Sequence, residues 1–131
     1  MRVIPVADSP EILITGGSGY VGGRLISKLE ERGVPLRCMA RRPESLRTKV
    51  VESTEVVFGD VLQPESMEEA LSGIKTAYYM VHSMGTGRDF ESDDRRGARN
   101  FAVAARAAGV KKIVYLGGLG DSDQKLSAHL R

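Results

Sequence analysis

Short apolar runs alternate with longer amphipathic segments along most of the chain. The apolar runs have the length of β-strands, and glycine, proline or charged residues bound them. They predict five strands, at residues 11–15, 36–40, 55–58, 76–81 and 112–116. The segments between the strands predict helices. Regular alternation of strand and helix is typical of an α/β fold with a doubly wound parallel sheet and helices on both faces.

The helical segments carry apolar or small residues three or four positions apart. The first runs from about Tyr20 to Glu31, and three apolar residues share one of its faces: Val21, Leu25 and Leu29. Pro43 and Pro64 each open a further helix, since proline suits the first helical turn. The longest helix is predicted over 89–108, where small residues permit a close approach to the sheet.

Composition describes an ordinary globular protein. The chain has 131 residues, of which 41% are hydrophobic and 27% charged, and its net charge is +2. This balance favours neither nucleic acid nor a membrane surface as partner. Residues 1–10 are interpreted as an N-terminal extension and 11–131 as one domain. The single cysteine, Cys38, is expected to pack as a small buried residue, and without a secretory or membrane-spanning run the expected location is cytoplasmic.

The sequence ILITGGSGYVGG, residues 12–23, places glycines where the first strand ends and the first helix begins. In this context Gly16 allows a tight turn, Gly19 lets backbone approach a pyrophosphate, and Gly22 lets the helix lie close to the sheet. The first N–H groups of the helix would then face the phosphates. The alternative is a turn whose glycines serve packing alone. No Lys-Ser or Lys-Thr pair follows, so the motif is not a P-loop.

The end of the second strand indicates which dinucleotide is bound. An acid there would hold the ribose hydroxyls of NAD, whereas arginines would accept the 2′-phosphate of NADP. The chain has Arg41 and Arg42, and its next acid is Glu44. NADP(H) is therefore favoured over NAD(H), with two solvated surface arginines as the alternative. Asp60, directly after the third strand, is a candidate adenine contact or a plain loop acid.

Four stretches together resemble the short-chain dehydrogenase/reductase superfamily: TGGSGYVGGRL, RRP, GDV and GARNFAVAARAAGVKKIVYLGGLG. The likeness spans residues 11–131 and is greatest to the extended and atypical branches, including NmrA-like proteins and NAD(P)-binding epimerase/dehydratase relatives. It implies a Rossmann-type sheet of about five strands in the order 3-2-1-4-5. It also implies a dinucleotide cofactor and no metal.

The resemblance further implies which residues contact the cofactor. Five residues of the glycine-rich segment would line the pyrophosphate: Gly16, Ser18, Gly19, Tyr20 and Val21. Three residues after the second and third strands would contact the adenosine half: Arg41 at the 2′-phosphate, with Asp60 and Val61 at the adenine. Three residues at the end of the fourth strand would contact the ribose next to the nicotinamide: Val81, His82 and Ser83.

The chain departs from the superfamily where catalysis is expected. Active members have a serine after the fifth strand and then a Tyr-x-x-x-Lys motif. Here Gly117 and Gly118 follow the strand, Ser122 is the nearest hydroxyl, and His129 falls near the tyrosine position. The catalytic residues are therefore not assigned. Two functions stay open: an NAD(P)H-dependent oxidoreductase or epimerase/dehydratase-like protein, and a non-enzymatic NAD(P)-sensing, regulatory or structural module.

Superfamily members continue beyond the point that corresponds to Arg131. We therefore expect this chain to be the cofactor-binding half, with a small-molecule substrate bound only by the longer protein. In the predicted strand order the fifth strand, KKIVYL, is left as an edge with unpaired backbone groups. This edge predicts a homodimer through the fifth strand or the adjacent helix.

Overall fold

A computed structural model describes residues 9–17, 19–80 and 88–115. Within these ranges five strands form one sheet: β1 (Ile12–Thr15), β2 (Leu36–Ala40), β3 (Glu55–Phe58), β4 (Thr76–Tyr79) and β5 (Lys112–Tyr115). All neighbouring strands are parallel, and their order is β3-β2-β1-β4-β5. The predicted five-stranded, doubly wound Rossmann-type sheet is confirmed. Two predicted bounds were too long, because Glu11 lies outside β1 and β4 ends at Tyr79.

The helices follow the strands in the predicted alternation. They are α1 (Tyr20–Glu31), α2 (Pro43–Arg47), α3 (Met67–Leu71) and α4 (Arg88–Ala107), and a 3₁₀ turn (Pro64–Ser66) precedes α3. Pro43 and Pro64 each stand in the first turn of their element, as predicted. None of the helices in the described ranges is long and apolar enough to cross a membrane.

The sheet has a core on each face, because neighbouring residues of a strand point to opposite sides. Leu13 of β1 packs with residues of α3 and α4, including Met67 and Phe101. The next residue, Ile14, packs with Ile26 of α1 and Leu46 of α2. Burial on both sides explains why β1 reads as an uninterrupted apolar run rather than an alternating one.

The face of α1 that packs against the sheet includes Leu25 and Leu29, as predicted, but not Val21. Val21 was expected to face the sheet, but it is 49% exposed. The buried residues are Gly22 and Ile26, one turn apart. The helix contacts the sheet through Gly22 because only a residue without a side chain allows the two backbones to approach so closely. This contact rotates Val21 outward.

The parallel register brings the carboxyl ends of the strands to one edge of the sheet. Thr15 of β1 stands opposite Met39 of β2 and Tyr79 of β4, and Ala40 stands opposite Phe58 of β3. The segments that follow β1, β2 and β3 therefore begin side by side. In open α/β sheets this edge is where ligands bind.

Candidate cofactor-binding site

The turn between β1 and α1 requires glycine at two positions for the protein's own packing. Gly16 has a φ of 78°, in the left-handed region that residues with a Cβ rarely adopt. A Cβ at Gly22 would lie 2.3 Å from the carbonyl oxygen of Gly16 and 2.9 Å from Cα of Gly17. The start of α1 therefore lies directly against the loop that leaves β1, as the sequence predicted for a tight turn and a close helix.

Gly19 differs from these two glycines. Its φ of −82° is open to any residue, and it occupies the N-cap position of α1. A Cβ there would meet only the carbonyl oxygen of Gly16, at the ordinary distance of 3.4 Å. Neither backbone conformation nor packing within the described residues requires a glycine at this position. The protein's own fold therefore does not explain this glycine. A position without a side chain lets a ligand approach the backbone, which fits a binding site.

The first turn of α1 has the properties of an anion-binding site. The N–H of Gly19 donates to Gly16 O (3.1 Å) and the N–H of Gly23 to Gly19 O (2.9 Å). The N–H groups of the three residues between them precede the first intrahelical bond and have no acceptor within the helix. Among the described residues no side chain caps this end, and the first turn of the helix contains no acid. These free donors and the helix dipole fit a diphosphate group.

Thr15 supports this turn from below, and the sequence analysis did not identify it. Its buried hydroxyl donates to Tyr78 O (3.0 Å) and accepts from the N–H of Met80 (3.2 Å). The hydroxyl therefore fastens the end of β1 to the end of β4, one residue before Gly16. A threonine at the end of an otherwise aliphatic strand is the signal that could have indicated it.

Arg41 and Arg42 lie at the carboxyl end of β2 and are both exposed. Within the described ranges neither side chain forms an ion pair or a hydrogen bond. Nearby arginines are bound to the protein: Arg37 pairs with Glu55 and donates to Ser72 O (2.7 Å), and Arg47 donates to Val56 O (2.9 Å). Arg41 and Arg42 are thus available to an anionic ligand.

Asp60 and Val61 lie in a braced turn after β3. The N–H of Asp60 donates to Ser66 Oγ (2.9 Å), and its carboxylate Oδ1 accepts from the N–H of Leu62 (2.9 Å). The carbonyl oxygen of Val61 accepts from Nδ2 of Asn100 on α4 (2.8 Å). Asp60 therefore has a structural role whether or not it touches adenine. Ser66 and Asn100 are further residues that the sequence analysis missed.

The remaining predicted residues lie outside the described ranges. They are Ser18, Val81, His82 and Ser83 of the cofactor set, together with Gly117, Gly118, Ser122 and His129 near the expected catalytic positions. The structure thus brings to one edge the described residues that were predicted to contact the pyrophosphate and the adenosine, and the cofactor contacts themselves stay predictions. In the described part of the chain no group of His, Cys, Asp and Glu residues could hold a metal ion.

Two buried acidic groups lie close to the site and have shifted pKa values. Burial, reinforced by the charge of Glu30, raises the pKa of Cys38 to about 12. Burial, with smaller effects of Tyr115 and Asp94, also raises the pKa of Tyr79. Both groups are therefore protonated and unreactive near neutral pH. This agrees with the expectation that Cys38 packs as a small buried residue.

Comparison with known proteins connects this geometry to a family. Residues 16–130 match the NAD(P)H-binding family. A 3-beta-hydroxysteroid dehydrogenase of Mycolicibacterium neoaurum is 33% identical over 82% of this chain and 32% of its own length. A crystal structure of the Citrobacter sp. triphenylmethane reductase complexed with NADP(H) is 30% identical, with a TM-score of 0.68, and covers 87% of this chain and 39% of that one.

A second solved structure contains the other cofactor. A short-chain dehydrogenase/reductase superfamily protein of Agrobacterium tumefaciens with bound NAD is 25% identical, with a TM-score of 0.66, and covers 79% of this chain and 31% of that one. The chain spans about a third of the length of the curated relatives it matches. It belongs to the NAD(P)H-binding family, within the atypical branch of the short-chain dehydrogenases/reductases, and is a domain that binds a nicotinamide dinucleotide.

Proposed function

We propose that this domain binds NADP(H) in preference to NAD(H) and serves an NADPH-dependent oxidoreductase. The observation that carries the preference is the pair of exposed, unpaired arginines, Arg41 and Arg42, directly after β2. A guanidinium holds a phosphate through charge-assisted hydrogen bonds that the unphosphorylated ribose of NAD cannot make. No acidic residue directly follows β2 to bind the ribose hydroxyls of NAD. Solved structures similar to this chain contain either NADP(H) or NAD, so the fold alone does not decide the preference. We therefore expect the side chains after β2 to decide it.

In the proposed complex each corner of the site holds a different part of the cofactor. The N–H groups of Tyr20, Val21 and Gly22 bind the diphosphate at the start of α1. Arg41 binds the 2′-phosphate, and Asp60 and Val61 border the adenine. The bound cofactor would supply the hydride chemistry, while these residues hold and orient it. The residues predicted at the nicotinamide ribose, Val81, His82 and Ser83, complete the proposed set together with Ser18.

Two of the relatives at 30% identity or more, which are named as a dehydrogenase and a reductase, favour reduction over epimerisation. Gly117 and Gly118, where the superfamily has serine, and His129 near its tyrosine position favour the alternative, a non-enzymatic NAD(P)-sensing module. No catalytic residue is proposed for this chain. We expect the 131-residue chain to bind the cofactor without catalysing its oxidation or reduction.

Thermal unfolding with NADP, NADPH, NAD and NADH, each added separately, tests the cofactor preference. A ligand that binds only the folded state adds ~2.7 kcal/mol of stability at ~100 times its Kd. We expect the phosphorylated pair to raise the unfolding temperature more than NAD and NADH at equal concentration. Equal shifts for all four nucleotides would contradict the proposed preference, and no shift at all would contradict cofactor binding.

The oxidoreductase assignment needs the longer protein. Absorbance of NADPH at its reduced-nicotinamide band, followed with small carbonyl substrates, should fall with time when that protein is present. Cofactor binding without NADPH oxidation across ketone, quinone and dye substrates would favour the sensing module instead. NADPH oxidation by the 131-residue chain alone would show that its own residues complete a catalytic site.

We also propose that the isolated chain forms a homodimer through β5 or the adjacent α4. In the described sheet β5 is an end strand, and its Ile113 is 40% exposed. Strand edges with unpaired backbone groups associate readily. Small-angle scattering over a concentration series should give the mass of a dimer. A monomer at every concentration would contradict the proposal.

A further inference from the structure

The loop after β3 and helix α4 are joined at the proposed adenine end of the site. Nδ2 of Asn100 donates a hydrogen bond of 2.8 Å to the carbonyl oxygen of Val61, and both groups are partly buried. One turn earlier on α4, a Cβ at Gly97 would lie 2.6 Å from Cγ2 of Val61. Because Gly97 has no side chain, the helix lies directly against Val61. At this distance the amide of Asn100 reaches the carbonyl of Val61.

The peptide group between Val61 and Leu62 is held at both of its polar ends. Its carbonyl oxygen accepts from Asn100, and its N–H donates to Oδ1 of Asp60. Because a peptide group is planar, the carbonyl and the N–H cannot rotate independently. Fixing the carbonyl therefore also fixes the N–H and, through it, the carboxylate of Asp60.

The other side of the loop is anchored differently. Ser66 Oγ has one proton and lies within hydrogen-bond distance of two acceptors, Gln63 O (2.7 Å) and Asp60 O (3.1 Å), and it accepts from the N–H of Asp60. These bonds hold the backbone of Asp60 but touch neither its carboxylate nor the Val61 carbonyl. Asn100 is thus the residue from a distant element that determines how the Val61–Leu62 peptide is oriented.

We infer that Asn100 is a positioning residue for the adenine end of the cofactor site, acting through the Val61–Leu62 peptide on the carboxylate of Asp60. The inference rests on the proposed function, in which Asp60 and Val61 border the adenine. It makes α4 part of the cofactor site, although no residue of α4 is proposed to touch the cofactor.

Two variants test this role, Asn100→Leu and Asn100→Ala. Leucine has nearly the shape of asparagine, lacks the donor, leaves the net charge unchanged and favours a helix. The Kd values for NADPH and for adenosine 2′,5′-bisphosphate are measured by calorimetry. We expect both to rise by the same factor, about tenfold, since one hydrogen bond to a partly buried carbonyl is lost. Asn100→Ala should give a similar rise.

A control variant separates positioning from general loss of stability. Ala105→Gly lies on the same helix, in the buried cluster beside α3, and leaves the hydrogen bond between Asn100 and Val61 in place. It lowers the unfolding temperature through helix propensity, and we expect both Kd values to stay at the wild-type level. This contrast is one that a merely structural role of Asn100 would not produce.

Three results would overturn the inference. Asn100→Leu could leave both Kd values unchanged while the wild type binds both ligands, which removes the inference and keeps the proposed function. Ala105→Gly could weaken binding as much as Asn100→Leu at equal loss of stability, which reduces Asn100 to a structural role. The wild type could bind neither ligand, in which case the proposed function and this inference both fail.

Discussion

In the proposed complex, two neighbouring corners of the sheet's carboxyl edge would bind the cofactor by opposite means. At the β1–α1 corner, from Gly16 to Gly22, the backbone itself forms the site, and side chains are absent where the helix and the loop meet. At the β2–α2 corner, Arg41 and Arg42 project from an ordinary backbone, and Pro43 starts the next helix. As proposed, the first corner would bind through backbone N–H donors, which a substitution does not remove. The second would bind through side chains, which a substitution can exchange.

This difference separates what folding requires from what function requires. At Gly22 a substitution would collide with backbone atoms, so that folding alone demands the glycine. At Arg41 the exposed side chain forms no hydrogen bond or ion pair with the described residues, so a substitution should leave folding unchanged. Gly19 lies at the first corner. Like the arginines of the second corner, however, it can be substituted without a clash with the described residues. The predictions below test this division, beginning with the largest expected effect.

Gly22→Ala should give the largest loss of stability. Its Cβ would stand 2.3 Å from Gly16 O, and a backbone atom cannot move aside as a flexible side chain can. We expect the free energy of unfolding in urea to fall by about 3 kcal/mol.

Gly23→Ala is the matched control, since its Cβ would meet only Gly17 O, at 3.7 Å. Helix propensity should raise its stability by about 0.5–1 kcal/mol. Equal destabilisation by the two variants would show that the close approach at Gly22 is not what demands glycine.

Gly19→Ala should abolish most cofactor binding while the fold is kept. The fold has room for the added methyl group, but that group would occupy the space of a diphosphate bound at the N-terminus of α1. We expect the Kd for NADPH to rise about a hundredfold, equivalent to ~2.7 kcal/mol. Alanine at an N-cap lowers the free energy of unfolding by no more than about 1 kcal/mol. Binding is followed by nicotinamide fluorescence.

Gly23→Ala, on the same helix, should bind NADPH with wild-type affinity. If Gly19→Ala also kept that affinity, the diphosphate would not lie against this backbone, and the first corner would not be the phosphate site.

Arg41→Asp should remove the preference for NADP over NAD without affecting stability. The lost charge-assisted bonds to the 2′-phosphate correspond to roughly a 10- to 100-fold smaller ratio of the two affinities. Arg42→Asp should show a smaller change. Titration with both oxidised cofactors measures the ratio.

Arg32→Asp changes the net charge equally but lies at the C-cap of α1. It should leave the ratio unchanged. A ratio altered as strongly by Arg32→Asp as by Arg41→Asp would indicate a general charge effect rather than a bound phosphate.

The smallest effect concerns Cys38, which lies on β2 in the buried cluster with Ile14 and Ile26. The reactivity of its thiol reports whether that cluster stays closed to solvent. Its pKa is raised from 9.0 to about 12, so the folded state retains a proton that the unfolded state releases. The stabilisation from this group is complete below pH 9.0 and is lost as the pH rises to about 12. The raised pKa of Tyr79 acts in the same direction.

Labelling with a thiol reagent at pH 8 should be slow in wild type and Arg41→Asp but faster in Gly22→Ala. Fast labelling of the wild-type protein would contradict the buried position of Cys38. Unfolding measured across the alkaline range should show decreasing stability.

Much of the site was predictable because its main features are local. Gly16, Gly19 and Gly22 lie within seven positions of one another and follow an apolar strand, and Arg41 and Arg42 follow the next strand directly. Strand order then places both corners at one edge. The helix after β3 was predicted to start at Pro64, but residues 64–66 form a 3₁₀ turn and α3 begins at Met67. Val21 was placed on the wrong face because periodicity alone did not show where α1 approaches the loop.

The sequence by itself determined the alternation of strands and helices, the family and the glycine corner, since these depend on residues a few positions apart. Only the tertiary structure decided that Thr15 would fasten β1 to Tyr78, that Arg37 would reach Ser72 and that Asn100 would hold Val61. Partners separated by tens of residues carry no periodic signal. They meet because the sheet order and the packing of α4 bring them together, and a single polar side chain then fixes the distance.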